Sequence, residues 1–344
     1  MRNRPFFSLA VWVACSIVGS STAWAHGLKV ALVLDRGGKD DKSFNASAYQ
    51  GANRAKEKLG ITLKYVEASD DNAFEPLLRA FAQKDYDLII AIGVAQAEAL
   101  KKVAAKYPQK NFAIIDAEIS APNVRSLLFE EQEGAYLVGM IAAKMAPSKK
   151  IGFIGGMDIP LIRRFQVGFE AGAKAAVPAI QVTSNYVGVT SEAWNNPARA
   201  KELALSQYQN GADVIFAAAG ASGAGLFDAA EEKKKFAIGV DSNQNWIKPG
   251  RVLTSMLKRV DNAVYQTIED AKGTITGPSA STFGGKIEHF GLANGGVDYA
   301  LDQYNEKLIP KDVIKLVNAR KAEIIAGSVK VPDYYLDSKK PAAK

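Results

Sequence analysis

A chain of 344 residues, 48% hydrophobic and 23% charged, has ordinary globular composition and the length for two cores. Its formal charge of +7 comes from 43 Lys and Arg against 36 Asp and Glu spread along the chain, so no basic stripe for nucleic acid is present. Two histidines and one cysteine give no metal-ligand spacing, and neither a metal nor a cofactor is expected.

In chain order, the first 25 residues stand apart. Arg2 and Arg4, the apolar run FFSLAVWVACSIVG and the small-x-small site Ala23-Trp24-Ala25 read as a secretory signal peptide cut after Ala25, with a periplasmic mature protein. The run is too short to read as a membrane span. The rival is a lipoprotein signal that anchors the protein through Cys15; Trp12 and the apolar stretch beyond Cys15 fit it poorly. Cleavage lowers the formal charge to +5 and removes the only cysteine, so the fold must rely on its core.

Next come the strand-like runs KVALVLD, LKYVEA, DLIIAIG and NFAIID, and later KIGFIGG, IQVTSNYVG, DVIFAAAG and FAIGVD, alternating with amphipathic helical stretches. That pattern predicts α/β architecture with parallel sheets covered on both faces. EEQEGAYLVGMIAAKMA, between the two sets, has the length of a helix that carries the chain from one sheet to the next. The sets also repeat each other. Tyr86 to Ile90 matches Ala212 to Phe216 at a shift of 126, Asn111 to Ile114 matches Lys235 to Ile238 at 124, and both Lys29-Val30 and Gly51-Ala52 recur 121 residues on. Two lobes of one plan are expected, not a short-period solenoid.

Ligands of open α/β sheets sit beyond the carboxyl ends of the strands. Asp116 and Asp241, which end NFAIID and FAIGVD, should therefore face a common ligand from opposite walls. Each could equally be a turn former or helix cap. Phe44, in GGKDDKSFNASAYQG, is either a ring wall for a flat ligand or a staple on its own helix. Its repeat counterpart is Phe165, which lies four residues before Phe169 and also fits a core stripe. Trp194 precedes a helix started around Asn196 and Pro197, whose end it could cover.

Gly220, Gly223 and Gly225 follow a strand, but their spacing is not a dinucleotide fingerprint and no Gly-Lys-Ser/Thr follows. Asp40 and Asp41 after Gly37-Gly38-Lys39 would repel a phosphate. The glycines read instead as places where backbone comes close to a ligand. Catalytic constellations are thin: His26 and His289 have no evident partners, no nucleophile elbow occurs, and the adjacent Asp40 and Asp41 read as a solvated pair. No enzyme is expected.

GGKDDKSFNASAYQG, KIGFIGGMDIPLIRRFQVGFEAGA, YVGVTSEAWNNPARAKELA, GADVIFAAAGASGAG, AIGVDSNQ and VLTSMLKRVD resemble, in that order, the basic membrane protein family. These are substrate-binding proteins of the purine nucleoside receptor type that serve ABC importers. The similarity runs from about residue 29 to 262, and more weakly to about 331. It implies a type I periplasmic-binding-protein fold that closes on a purine nucleoside. The base would lie between Phe44 and Trp194, where most relatives have phenylalanine at the second position, with Phe165 as second choice. Asn45 and Asp116 are candidates for the base edge, because an amide donates and accepts and a carboxylate accepts from a purine N–H. Asp241 and Lys258 fall at the ribose, Gly220 admits the sugar and Asp41 helps orient it. The implied partner is an ABC permease in the inner membrane, and the protein is expected to be a monomer.

The expected lobes are residues 26–126, completed around 262–284, and residues 127–259, completed around 285–330. Crossings are expected near 122–130 and 256–262, with a loosely held tail from 331 to 344. Rival readings are a binding protein of the same fold for a sugar or an amide, a ligand-sensing module, and an enzyme acting on a nucleoside.

Overall fold

Branched and aromatic apolar runs drive strands that are buried on both faces, and the alternation of side chains decides which core each residue enters. In β1 (Lys29–Leu34), Val30, Leu32 and Leu34 join one apolar cluster while Ala31 and Val33 join another. A computed structural model describes residues 27–275 and 283–337 of the chain. The expected signal peptide, Cys15 and His26 lie outside the described residues.

The first lobe continues with α1 (Phe44–Leu59), β2 (Thr62–Glu67), α2 (Phe74–Ala82), β3 (Leu88–Ile92), α3 (Ala97–Lys106), β4 (Asn111–Ile115) and β5 (Val124–Phe129). The second lobe holds α4 (Glu131–Lys144), β6 (Lys150–Met157), α5 (Pro160–Ala176), β7 (Gln181–Gly188), α6 (Pro197–Gln209), β8 (Val214–Ala218), α7 (Gly223–Lys233), β9 (Phe236–Asp241) and β10 (Val252–Lys258). The chain then returns to the first lobe with α8 (Val260–Ile275) and β11 (Lys286–Phe290). It finishes on the second with β12 (Val297–Tyr299), α9 (Lys311–Ile325) and the short α10 (Tyr334–Asp337).

The sheet orders are β11-β5-β4-β3-β1-β2 and β12-β10-β9-β8-β6-β7. Every described pair is parallel except β10 with β12. One apolar cluster runs through both lobes along α1, α8, α4 and α5, and a second and third fill the outer faces under α2–α3 and α6–α7. Gly51 and Gly172, repeat counterparts, let these helices meet. A Cβ on Gly51 would come 2.2 Å from the Asp261 carbonyl of α8, and one on Gly172 1.9 Å from the Tyr136 carbonyl of α4.

Three segments cross between lobes: 129–131, 258–260 and 290–297. They are tied together, since Glu130 N–H donates to Phe290 O at 2.8 Å and Arg259 N–H to Gly296 O at 2.8 Å. The expectation that the second lobe resumes at about 285 is corrected. Lys286–Phe290 adds to the edge of the first sheet beside β5, and the chain crosses a third time after it. The expected loose tail from 331 is also corrected as far as residue 337. Asp333 is buried in an ion pair with Arg164, and α10 packs on α5.

Candidate ligand-binding site

The carboxyl ends of both sheets face each other across one cavity with about 630 Å³ of free space, counted to its open mouth. The walls include Asp41, Phe44, Asn45 and Asp116 from the first lobe. Phe165, Trp194, Gly220, Asp241 and Lys258 line it from the second. These nine candidates therefore meet in one place, whereas Gly223 and Gly225, also expected near a ligand, do not line it; Gly225 instead lets α7 meet α6, where a Cβ would come 1.9 Å from the Pro197 carbonyl.

Asp116 follows β4 and Asp241 ends β9, and both take left-handed backbone, with φ of 70° and 64°. Aspartate tolerates that conformation better than most residues, so the turn-forming reading describes the backbone of both. Their side chains do something else. Asp116 Oδ2 accepts from Lys258 Nζ at 2.7 Å, and its buried Oδ1 has no hydrogen-bond partner among the described residues. Asp241 Oδ2 accepts from Ser43 Oγ of the opposite lobe at 2.5 Å.

Lys258, from the end of β10, is 2% exposed. Burial, the largest single influence, disfavours its charge, but Asp116, Glu131 and Asp241 together outweigh it and hold the ammonium protonated above its ordinary range. Glu131 Oε1 lies 2.9 Å from Nζ. The rings of Phe44, Phe129 and Phe165 have centroids 5.3, 5.0 and 5.6 Å from the same nitrogen, a second source of support for a desolvated cation. Burial raises the carboxyl of Asp241 to about 7 and that of Asp116 to about 6, against the opposing pull of Lys258.

Phe44 is the first residue of α1 and Trp194 sits in a 3-10 turn before α6; both are half-buried at the cavity. Trp194 packs against Gly156, where a Cβ would come 2.2 Å from the indole. Asn196 does start α6, its side chain accepting from Arg199 N–H at 3.0 Å. Phe165 is more deeply buried and packs near Phe216, so it belongs to the core as well as to the cavity wall. Gly220 has φ of 56°, a conformation favouring glycine.

Three expectations need correction. Asn45 has less to offer a ligand than expected: its Oδ1 already accepts from Asp35 N–H at 2.9 Å and one amide hydrogen goes to Asp41 at 3.0 Å, leaving one lone pair and one hydrogen. Asp41 accepts from the N–H groups of Ser43, Asn45 and Ala46 at 2.8–2.9 Å, so its carboxylate holds the start of α1. For the same reason Asp40 and Asp41 are not a solvated pair; only Asp40 is exposed, beside Lys39.

Sequence reasoning passed over Asp35, which follows β1, lines the cavity and is raised by burial to about 6. The strand-end logic that selected Asp116 and Asp241 applies to it equally. It also passed over Glu131, whose link to Lys258 joins residues 127 apart and leaves no local signal.

The lobes touch across the cleft. Besides the Ser43–Asp241 bond, Ser242 Oγ donates to Ser43 O at 2.9 Å, Gln244 Nε2 to Lys42 O at 2.9 Å, and Ser191 Oγ to Asp71 Oδ2 at 2.5 Å. Two α/β lobes joined by three crossings and drawn together over a largely apolar cavity that holds a few buried charged groups define a substrate-binding protein of the type I periplasmic-binding-protein fold. A solute-binding protein of an ABC transporter system from Aeropyrum pernix has this architecture, with a TM-score of 0.80 at 32% identity over 89% of this chain and 94% of that one.

The family model for Bmp, described as ABC transporter substrate-binding protein PnrA-like, matches residues 28–334, and the chain belongs to that family. It is 34% identical over 352 aligned positions to the ABC transporter nucleoside-binding protein BmpA of Lactococcus lactis, covering 94% of this chain and 95% of the relative. A CD4+ T-cell-stimulating antigen of Listeria monocytogenes is 36% identical, covering 88% of each chain. The family consists of substrate-binding proteins rather than enzymes; such proteins are exported, bind a ligand and work with a permease.

Proposed function

We propose that the cleft captures a purine nucleoside for an ABC importer. The observation that carries this reading is the meeting, in one cavity, of a half-buried ring from each lobe with buried strand-end carboxylates and a single ammonium. Phe44 and Trp194 offer faces to a flat base, and stacking of this kind contributes roughly 1–3 kcal/mol per base. Asp116, with Oδ1 unpartnered, accepts from a base N–H, and Asn45 has one amide hydrogen left to donate. Asp241 and Lys258 serve the ribose hydroxyls, with Gly220 leaving room for the sugar.

Charge argues against a nucleotide. Four carboxylates, Asp35, Asp41, Asp116 and Asp241, line the cavity against one ammonium, and Lys258 is already shared between Asp116 and Glu131. A phosphate would meet repulsion, with no free cation among the described lining residues to offset it. A sugar would use the hydroxyl-binding groups and rest a C–H face on a ring, but it has no flat π system for a ring from each lobe to stack on. The name of the Lactococcus lactis relative, a nucleoside-binding protein, points the same way.

Closure of the lobes over the ligand would present the permease with the shut form, in keeping with a monomer exported to the periplasm after cleavage at Ala25. Anchoring through Cys15 is the alternative route, and mass measurement of the mature protein separates the two.

Mass spectrometry of small molecules released from purified, undialysed protein tests the ligand. A stoichiometric purine nucleoside is expected. A different stoichiometric ligand would overturn the reading while leaving the two-lobed fold intact, and free base released from added nucleoside would point to an enzyme. If the protein is empty, titration with a nucleoside panel is the test, and no binding overturns the reading.

A further inference from the structure

Arg164 and Asp333 line not the ligand cavity but a second one that adjoins it at Val94, Asp116 and Leu161, and the Glu131 side chain joins them to the ligand site. Arg164, near the start of α5, grips Asp333 with two parallel bonds: Nε to Oδ1 at 3.0 Å and Nη2 to Oδ2 at 2.8 Å. The same guanidinium donates to Glu131 Oε2 at 3.1 Å, to Glu130 and to the carbonyl of Phe129. Residues 129–131 form the first crossing between the lobes. The other oxygen of Glu131 faces Lys258 at 2.9 Å, and Lys258 holds Asp116 at 2.7 Å. A line of alternating charge thus runs Asp333–Arg164–Glu131–Lys258–Asp116, with no side chain more than 9% exposed.

We propose that Arg164 and Asp333 are positioning residues for the ligand site, so that the carboxyl-terminal segment governs where Lys258 and Asp116 stand. Glu131 is shared between two cations in a poorly screened interior, where a change of charge at one end is felt at the other. With Asp333 neutral, Arg164 turns its freed donors on Glu131. Glu131 is drawn away from Lys258, and the ammonium then leans wholly on Asp116, the carboxylate that must face the ligand. A lysine at position 164 would keep the charge but could not hold Asp333, Glu131 and the Phe129 carbonyl at once, because it lacks the planar fork. The affinity arm of this proposal rests on the nucleoside reading; the lysine arm does not.

The test uses full-length mature protein carrying Asp333→Asn, with Asp333→Glu as the charge-preserving partner. The first readout is the 15Nζ NMR signal of the Lys258 ammonium without ligand, assigned by its loss in Lys258→Arg. It should shift in Asp333→Asn and return toward wild type in Asp333→Glu. The second is affinity for adenosine, guanosine and inosine, expected to fall roughly five- to tenfold in Asp333→Asn, within the usual range of coupling between separate sites. An unmoved Lys258 signal in folded Asp333→Asn overturns the proposal, as does unchanged affinity with only a lower melting temperature. If wild type binds no nucleoside, the ligand reading fails and the NMR arm still decides this one.

Discussion

The first lobe places Asp35 directly after β1, and the second has Gly156 at the equivalent position, the last but one of β6, 121 residues on. One is a buried carboxylate raised by its surroundings to about 6; the other is bare backbone on which Trp194 lies. The two sheets share strand order and the left-handed aspartates after β4 and at the end of β9, so duplication preserved the frame. It did not preserve the chemistry at the cleft. The second lobe gives up a side chain at this strand end to seat an indole, whereas the first carries its ring directly at the start of a helix. Phe165, the true repeat partner of Phe44, is pulled into the core beside Phe216. Symmetry of backbone is therefore a poor guide to which ring is free to stack.

The sharpest break in the comparison is Lys258→Met. It leaves Asp116, Glu131 and Asp241 in the interior without the cation they share, and loss of one partner of a buried ion pair costs about 3–5 kcal/mol. Denaturant unfolding should show that loss, with nucleoside binding abolished in protein that still folds. Gly156→Ala comes next. Its Cβ would overlap the Trp194 ring at 2.2 Å, so the indole must move, at a cost of about 1–3 kcal/mol typical of overpacking. Altered tryptophan fluorescence together with weaker ligand binding is expected; an unchanged spectrum would show that Trp194 is not seated there.

Phe44→Ala and Trp194→Ala should each weaken nucleoside binding by about 1–3 kcal/mol in calorimetry. Phe165→Ala should chiefly lower stability. The opposite pattern would restore the repeat's choice of ring.

Asp241 offers a pH signature. Its folded-state carboxyl is raised from an ordinary 3.8 to about 7 by burial, so the native state prefers it protonated. Its stabilising contribution is complete below about pH 4 and is lost as pH rises through 7. Asp241→Asn, which cannot ionise, should gain stability relative to wild type as pH goes from 5 to 8, measured by unfolding at each pH. A constant difference would mean that Lys258 keeps Asp241 ionised throughout. The smallest effect is expected from Ser43→Ala. It removes the inter-lobe contacts of Ser43 Oγ with Asp241 and the Val240 carbonyl and should speed ligand release severalfold, with a stability change of about 1 kcal/mol or less.

Much of this molecule could be read from its residues because period and repeat are local signals. Short continuous runs such as LIIAI and VIFAA, alternating with helical stretches, read as strands buried on both faces, and the nearly constant shift between sets implied two like lobes before any contact was known. Strand-end position then drew attention to Asp116 and Asp241. The residues that were misjudged had partners the pattern did not reveal: some lie far along the chain, whereas Asp41 is held by N–H groups only two to five residues on. Lys286–Phe290 has the alternation of an edge strand, and nothing in it says which sheet it will join. Asn45 looks free until the Asp35 N–H is found ten residues back, taking one lone pair of its oxygen.

Composition, periodicity and repeat by themselves determined the α/β class, the two lobes and the strand ends that carry the site, because each depends on neighbours in the chain. Only the tertiary structure decided the rest. It set Lys258 between Asp116 and Glu131, 142 and 127 positions away, inside three rings. It also tied Asp333 to Arg164, 169 residues back, where the sequence suggested a loose tail. A buried charge is tolerable only where opposite charges surround it, and that balance is struck between distant segments once the cleft has closed.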